Sequence, residues 1–348
     1  RRSSDLLAET NAGNAPKYTP DQIRDLAAHQ NEESWFFDQI MRTAMQQNYN
    51  LSVSGGSEHS TYMISMGYYD QESNYVGNDS FGVQRYNFRT SLSTELGRFK
   101  LTGILAYARN NSVSTTGGSL EVDAARTPTY YYYKMKSADG RYLLNDILSE
   151  FNPLGQLEAG GRNKYRNNYI NTNVSAEMKI IDGLKLKGVF GADIMNDTRF
   201  TRNHAVAYYS SEEATEPRPI KKENNKTSNW NSNAYLINTQ LLLDYNKTFG
   251  KHTVNGLVGL TNESYTQSSN EIEKKYVDPD LGIATDETTS EPGNITGKTS
   301  VDDSNRTSIT SFLGRAGYSY ADRYYAEFSF RYDGASKFHK DYRWGFFP

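Results

Sequence analysis

Along residues 324–333 the side chains alternate without exception. Tyr324, Ala326, Phe328, Phe330 and Tyr332 occupy one parity; Tyr325, Glu327, Ser329, Arg331 and Asp333 occupy the other. A period of two puts successive side chains on opposite faces of a β-strand, so this stretch carries one oily face and one charged face. The pattern stops at Asp333-Gly334, a turn-forming pair. Three further stretches are as regular. They are Tyr86, Phe88, Thr90, Leu92, Thr94 and Leu96; Ile170, Thr172, Val174, Ala176 and Met178; and Tyr235, Ile237, Thr239, Leu241, Leu243 and Tyr245, each interleaved mainly with polar residues.

Ten such segments pair into five hairpins: 48–56 with 61–70, 85–96 with 99–109, 164–180 with 184–194, 230–245 with 253–260, and 307–320 with 324–333. Asp182-Gly183 is the strongest turn signal. In 99–109 both parities hold apolar residues, and the outward face is left open. Turns within each pair are short, whereas the connections 71–84, 110–163, 195–229 and 261–306 are long. A soluble sandwich has no reason to gather its long loops at one end, and structureless loops of that length are rare in compact domains. A transmembrane β-barrel has this asymmetry. Its strands need about 9–11 residues to cross the hydrocarbon, against about 5–6 for an average globular strand. Tyr86, Tyr235 and Tyr332 at one end of the oily faces, and Tyr245, Tyr318, Tyr320 and Tyr324 at the other, suit the two headgroup regions. The expected fold class is therefore all-β, an antiparallel transmembrane barrel to which this chain supplies about ten strands.

Composition agrees. The hydrophobic fraction is 36% and the mean hydropathy −0.77, low for a compact soluble core. Yet 27 Tyr and 15 Phe are too many aromatics for a disordered chain. Net charge is −3, which lacks the basic excess of a nucleic-acid binder. With no cysteine there is no disulfide, thiolate metal site or thiol nucleophile. No apolar run reaches the length of a membrane helix. RRSSDLLAET has no apolar core behind its arginines, so the sequence reads either as cytosolic or as a mature or truncated piece. Residues 1–46 form a helical segment before the barrel, and 47–348 the barrel itself. Thr19-Pro20-Asp21-Gln22 looks like a helix start, and a second helix is expected over Ser34–Met45.

NYNLSVSGGSEHSTYMISMGYYDQES (48–73), SWFFDQIMRTA (34–44) and TSITSFLGRAGYSYADRYYAEFSFRYDGASKFHKDYRWGFFP (307–348) closely resemble segments of the SusC/RagA family of TonB-dependent outer-membrane transporters, in the same order. The resemblance implies a 22-stranded barrel with an N-terminal plug, in the bacterial outer membrane. It also implies a SusD-like surface lipoprotein as a lid, TonB, ExbB and ExbD as the energy source, and dimers of transporter–lipoprotein pairs. The implied cargo is oligosaccharide, with oligopeptide as the alternative; a passive porin or adhesin is the rival reading. Plug, TonB box and closing strands are not recognisable in these 348 residues, and ten strands do not close a barrel wide enough for a plug. An internal portion of a longer chain is the expectation. Asp333-Gly334-Ala335-Ser336-Lys337-Phe338 has Ala and Lys where the family usually has Ser and Arg.

No catalytic constellation is legible. His29, His59, His204, His252 and His339 are scattered, and no nucleophile elbow, phosphate loop or dinucleotide fingerprint occurs. No enzyme activity and no cofactor are expected. Asp278, Asp280, Asp302 and Asp303 are candidate loop contacts for Ca²⁺, though solvated loop carboxylates explain them as well. Tyr130, Tyr131, Tyr132 and Tyr133 offer adjacent rings for ligand stacking or, on the plainer reading, pin their loop to the rim or the lipoprotein. Arg85, Arg89, Glu95, Arg315, Glu327 and Arg331 are expected on the polar inner face, either steering cargo or pairing with one another.

Overall fold

The computed structural model describes residues 19–21, 24, 28, 39–77, 81–116, 120, 135–144, 152–218, 225–276 and 295–348. Eleven strands form one antiparallel meander: β1 (Gln46–Gly56), β2 (Ser60–Glu72), β3 (Gly82–Leu96), β4 (Phe99–Thr115), β6 (Gly161–Ile181), β7 (Leu184–Asn203), β9 (Lys226–Phe249), β10 (His252–Tyr276), β11 (Ile295–Tyr320), β12 (Tyr324–Ala335) and β13 (Trp344–Phe347). Each pairs with its sequence neighbour in this series, and β1 and β13 form the two edges. Among the described residues the connections hold a two-stranded parallel ladder, β5 (Tyr142–Leu143) with β8 (Tyr208–Tyr209), and a short helix, α1 (Pro153–Ala159). The turns 57–59, 97–98, 182–183, 250–251 and 321–323 lie at one end of the sheet, and the longer connections at the other. At 182–183 the tight turn needs Gly183 at φ 83°, a left-handed conformation that costs glycine nothing.

The ladder register lines up the apolar parities. One row runs Thr94, Leu101, Ala176, Gly188, Leu241, Leu260, Phe312, Tyr332, Phe346. Another runs Tyr68, Tyr86, Arg109, Asn168, Asn196, Asn233. The register settles β4: Phe99, Leu101, Leu105 and Tyr107 share the apolar face, while Thr102, Ile104 and Ala106 face the other way. Among the described residues nothing packs over this face, for Leu241 is 53% and Phe328 58% exposed. Unpartnered apolar surface on this scale, in strands this long, belongs against lipid. Aromatic rings cluster at its margins. Tyr68 and Tyr86 are 5.1 Å apart and Tyr332 stacks on Trp344 at 4.9 Å. At the short-turn end, His252 Nδ1 meets Tyr318 Oη at 2.7 Å and its ring packs on Tyr320.

The strands run further than hydrophobic periodicity marks. β10 continues to Tyr276 and β11 starts at Ile295, so most of the expected 261–306 loop is ladder. Asp302 and Asp303 accordingly sit in β11, opposite Asn270 and Ser269, rather than in a loop. Beyond the hydrocarbon both faces of a strand meet polar surroundings, so alternation fades while backbone pairing continues. The expected helix over Ser34–Met45 is also corrected. Among the described residues only 39–40 are helical there, and Met41 instead bridges Tyr75. Backbone bonds from Arg42 to Asn74, from Val76 to Ile40 and from Glu72 to Met45 extend the sheet edge into this segment. Residues 34–38 lie outside the described set.

A dry core does exist, at the long-connection end. Ile40, Phe81, Leu120, Met135, Leu154 and Leu157 bury one another against Met41, Tyr75, Val76 and Val113. The sheet thus has a small protein core above it and an uncovered apolar face below.

Candidate functional site

The face opposite the apolar band is polar along its length, and on the long-connection half it forms a concave wall. A cavity of about 740 Å³ is lined there by Asn48, Asn50, Tyr69, Val83, Arg85, Asn87, Ala108, Asn110, Asn167 and Tyr169. All belong to the inner parity of β1, β2, β3, β4 and β6. The reason is local: NYN (48–50) and YNF (86–88) put amides on the inner parity and rings on the other, while in NNY (167–169) Asn167 and Tyr169 share the inner parity. Side chains two apart on one strand then reach each other. Asn50 Nδ2 donates to Asn48 Oδ1 at 3.1 Å, and Arg85 Nε donates to Asn87 Oδ1 at 3.0 Å.

The wall continues on β7, β9 and β10. Tyr169 Oη donates to Asp193 Oδ1 at 2.7 Å, and Asn171 and Asn167 donate to Asp193 and Asp197. The Arg199 guanidinium lies 5.3 Å from the Trp230 ring centre and 3.5 Å from Glu271, which also accepts from Ser228. Lys226 pairs with Glu273 at 2.9 Å. Amides, phenols and charged groups already held by hydrogen bonds or ion pairs suit polar ligands bound by paired hydrogen bonds, with exposed ring faces for stacking.

The structure distributes the sequence-predicted residues unevenly. Arg85 lines the cavity, and Arg89 stands on the same face four residues down β3, opposite Ser65 and Ala106. Glu95 is far below, beside the short turn, and pairs with Lys100 at 3.3 Å rather than with an arginine. Arg315 pairs with Glu327 at 3.2 Å, while Arg331 turns to Asp333 and to Ser311 Oγ. These three lie on β11 and β12, remote from the cavity along the sheet. Tyr130, Tyr131, Tyr132 and Tyr133 lie outside the described residues, as do Asp278 and Asp280. Among the described residues no cluster of three or more metal-ligating side chains is found. Sequence reading missed the asparagines and Trp230; their parity, opposite Tyr49, Tyr86 and Tyr235, was the available signal.

At the long-connection end of the sheet the connections fold into a compact module that packs against outward-parity side chains such as Val113 and Phe200. Asn152 is fully buried and caps α1: its Nδ2 donates to Met135 O at 2.6 Å and Leu143 O at 2.8 Å, and its Oδ1 accepts from Gly155 N at 3.1 Å. Arg141 ties the module to the 204–218 connection, donating to the carbonyls of Glu212 and Ala214 and lying over Tyr209. Its partner Asp139 is held below the usual carboxylate range, first by the Ser137 hydroxyl and then by Arg141. Burial pushes the Tyr208 phenol up to about 12; it donates to Asn152 O and accepts from Gln156. A phenol whose folded pKa is raised stabilises fully below the ordinary value of about 10 and ceases to as pH rises through the folded value. Absorbance titration at 295 nm is therefore expected to show Tyr208 ionising late, with the module loosening only above pH ~10. Tyr208→Phe should remove that late component.

No protein-family model matches the chain. It is 25% identical over 338 residues to the TonB-dependent receptor SusC of Bacteroides thetaiotaomicron, covering 89% of this chain and 31% of that protein. To the TonB-dependent receptor P3 of Formosa agariphila it is 28% identical over 335 residues, covering 89% and 30%. The solved RagAB peptide importer in its open-open state superposes with a TM-score of 0.75 at 18% identity, over 100% of this chain and 40% of that one. The RagAB peptide transporter gives 0.70 at 19%, over 90% and 34%. At such identity the structures speak for the fold, and the chain spans about a third of the length of the curated relatives it matches. With the uncovered apolar band, the aromatic margins and the one-sided connections, these likenesses make the chain similar to barrel sequence of SusC-type TonB-dependent receptors and give it the fold of part of an outer-membrane β-barrel.

Proposed function

We propose that the full-length protein imports oligosaccharides across the outer membrane, driven by TonB and assisted by a SusD-like lipoprotein. The observation that carries the cargo class is the inner wall, where amide side chains and the rings of Tyr69, Tyr169 and Trp230 stand on one face, with Arg199 paired to Glu271, Lys226 to Glu273, and Asp193 and Asp197 held by neutral donors. Vicinal hydroxyls of a sugar match amide donors and acceptors two residues apart on a strand, and a pyranose face covers an aromatic ring. This chain makes and breaks no bonds in the process. It supplies a polar path, and the energy comes from the TonB complex acting on a plug outside these residues.

The test is calorimetric titration of the full-length protein with its lipoprotein, against neutral oligosaccharides and mixed oligopeptides. Trp230→Ala and Tyr169→Phe are each expected to weaken the preferred oligosaccharide about tenfold, near 1.4 kcal/mol, from one lost stacking surface or hydrogen bond. Binding of oligopeptides alone would replace the glycan reading with peptide import. Accumulation of cargo without TonB would replace active import with passive permeation.

A further inference from the structure

The outer face of the barrel above the apolar band carries a segregated cationic patch. On β6 the outward parity reads Ile170, Asn168, Arg166, Lys164, Arg162 toward the long-connection end. Arg166, Lys164 and Arg162 are all exposed. At a strand tilt of roughly 40° each residue gains about 2.5 Å of height, so the cations stand roughly 10–20 Å above Ile170. Between them and the apolar band lies a row of amides. Tyr107 Oη donates to Asn168 Oδ1, and Asn196 donates to Asn233. The order from lipid outward is thus aliphatic, phenol, amide, cation.

Charge is sorted by face here. Among the described outward positions of β4, β6, β7, β9 and β10 above the phenols none is a carboxylate, whereas Asp193, Asp197, Glu263, Glu271 and Glu273 all point inward. Arg162, Lys164 and Arg166 have no ion-pair partner among the described residues. Arg162 and Lys164 also line a cavity of about 530 Å³ between β6–β7 and α1, backed by Phe200 and Leu157. The carboxylate in it, Glu158, is already held by Lys136 at 2.6 Å and by the Tyr142 hydroxyl at 2.8 Å.

We propose that this patch binds the phosphorylated headgroups of glycolipids in the outer leaflet, with the phosphates on Arg162, Lys164 and Arg166 and the adjoining cavity taking part of the headgroup. Three cations at alternate positions of one strand's outward parity, exposed and with no ion-pair partner among the described residues, complement a membrane-anchored polyanion. Inward-facing Arg199, Arg315 and Arg331 instead pair with Glu271, Glu327 and Asp333. The inference needs only the outward face of the barrel, and it stands whichever cargo passes inside.

The full-length protein in nanodiscs of phosphatidylcholine containing diphosphoryl lipid A, or the same lipid A stripped of its phosphates, gives the test. The protein is expected to retain the diphosphoryl form through delipidating washes at least about tenfold better than the stripped form. The triple variant R162A/K164A/R166A should abolish that preference, and R162Q/K164Q/R166Q should do the same if the alanine variant folds poorly. Lys247→Ala, the same charge loss near the short turns, should leave it intact. Equal retention of both lipids, unchanged preference in both triple variants, or full competition by inorganic phosphate would overturn the proposal.

Discussion

Replacing Leu241 by arginine is expected to destabilise the barrel by about 2–4 kcal/mol. Leu241 stands near the middle of the outward parity of β9, between Tyr235 and Tyr245, in register with Gly188 and Leu260. Among the described residues it is 53% exposed, so an arginine there projects into the acyl chains, and near mid-depth the guanidinium has the longest reach to water. One residue away, Gln240 faces the opposite side beside Val189 and Thr261, where water is at hand; Gln240→Arg is expected to cost under about 1 kcal/mol. Guanidinium unfolding of the full-length protein folded into phosphatidylcholine vesicles measures both. Equal costs at 240 and 241 would mean that the two faces meet the same surroundings, and the membrane assignment would fail.

Asn152→Ala is expected to open the module at the long-connection end while leaving the barrel folded. The buried amide donates to two carbonyls on separate segments and accepts from the first turn of α1. Its removal leaves the Gly155 N–H without its cap and takes one hydrogen bond each from the Leu143 and Met135 carbonyls, the latter keeping the Leu143 N–H, and a buried group left unpaired costs about 1–3 kcal/mol. A local loss of about 3 kcal/mol is the expected net, since a collapsed loop regains part of the solvation. Hydrogen exchange should rise across 135–144 and 152–160 and stay unchanged in β9–β11. Asn152→Asp makes the diagnosis sharper. An aspartate is as good a helix cap as asparagine, yet here it would set a carboxylate against the carbonyls of Met135 and Leu143. It should be no better tolerated than alanine; rescue by aspartate would show that capping alone matters.

The barrel was legible because the lipid boundary writes period two into the sequence. Phe328, Leu241 and Phe88 are apolar since they meet acyl chains, and their neighbours are polar since they meet water. Where that contrast ends, so did the reading. The upper halves of β10 and β11 read as loop in the sequence because Ser268, Asn270 and Asp303 carry no alternation, although their backbones pair throughout. The helix placed over Ser34–Met45 failed at Met41 because its apolar spacing also suits a segment packed against Tyr75 and Val76.

The candidate site was read only in part. Arg85 was found by its charge, but Asn48, Asn87, Asn110 and Asn167 are single amides far apart in sequence, and asparagine by itself signals turns as readily as ligand contacts. Only the strand register brings them onto one wall. The same holds for Asn152, which looks like a turn residue beside Pro153 until Met135 and Leu143 are seen around it. Sequence by itself determined strand parity, the one-sidedness of the connections and the family motifs, all of which depend on neighbours within a few residues or on the solvent. Which inward side chains share a cavity, which charges pair and which outward cations stand unpaired was decided by tertiary structure, because those facts depend on the stagger between strands brought together from distant parts of the chain.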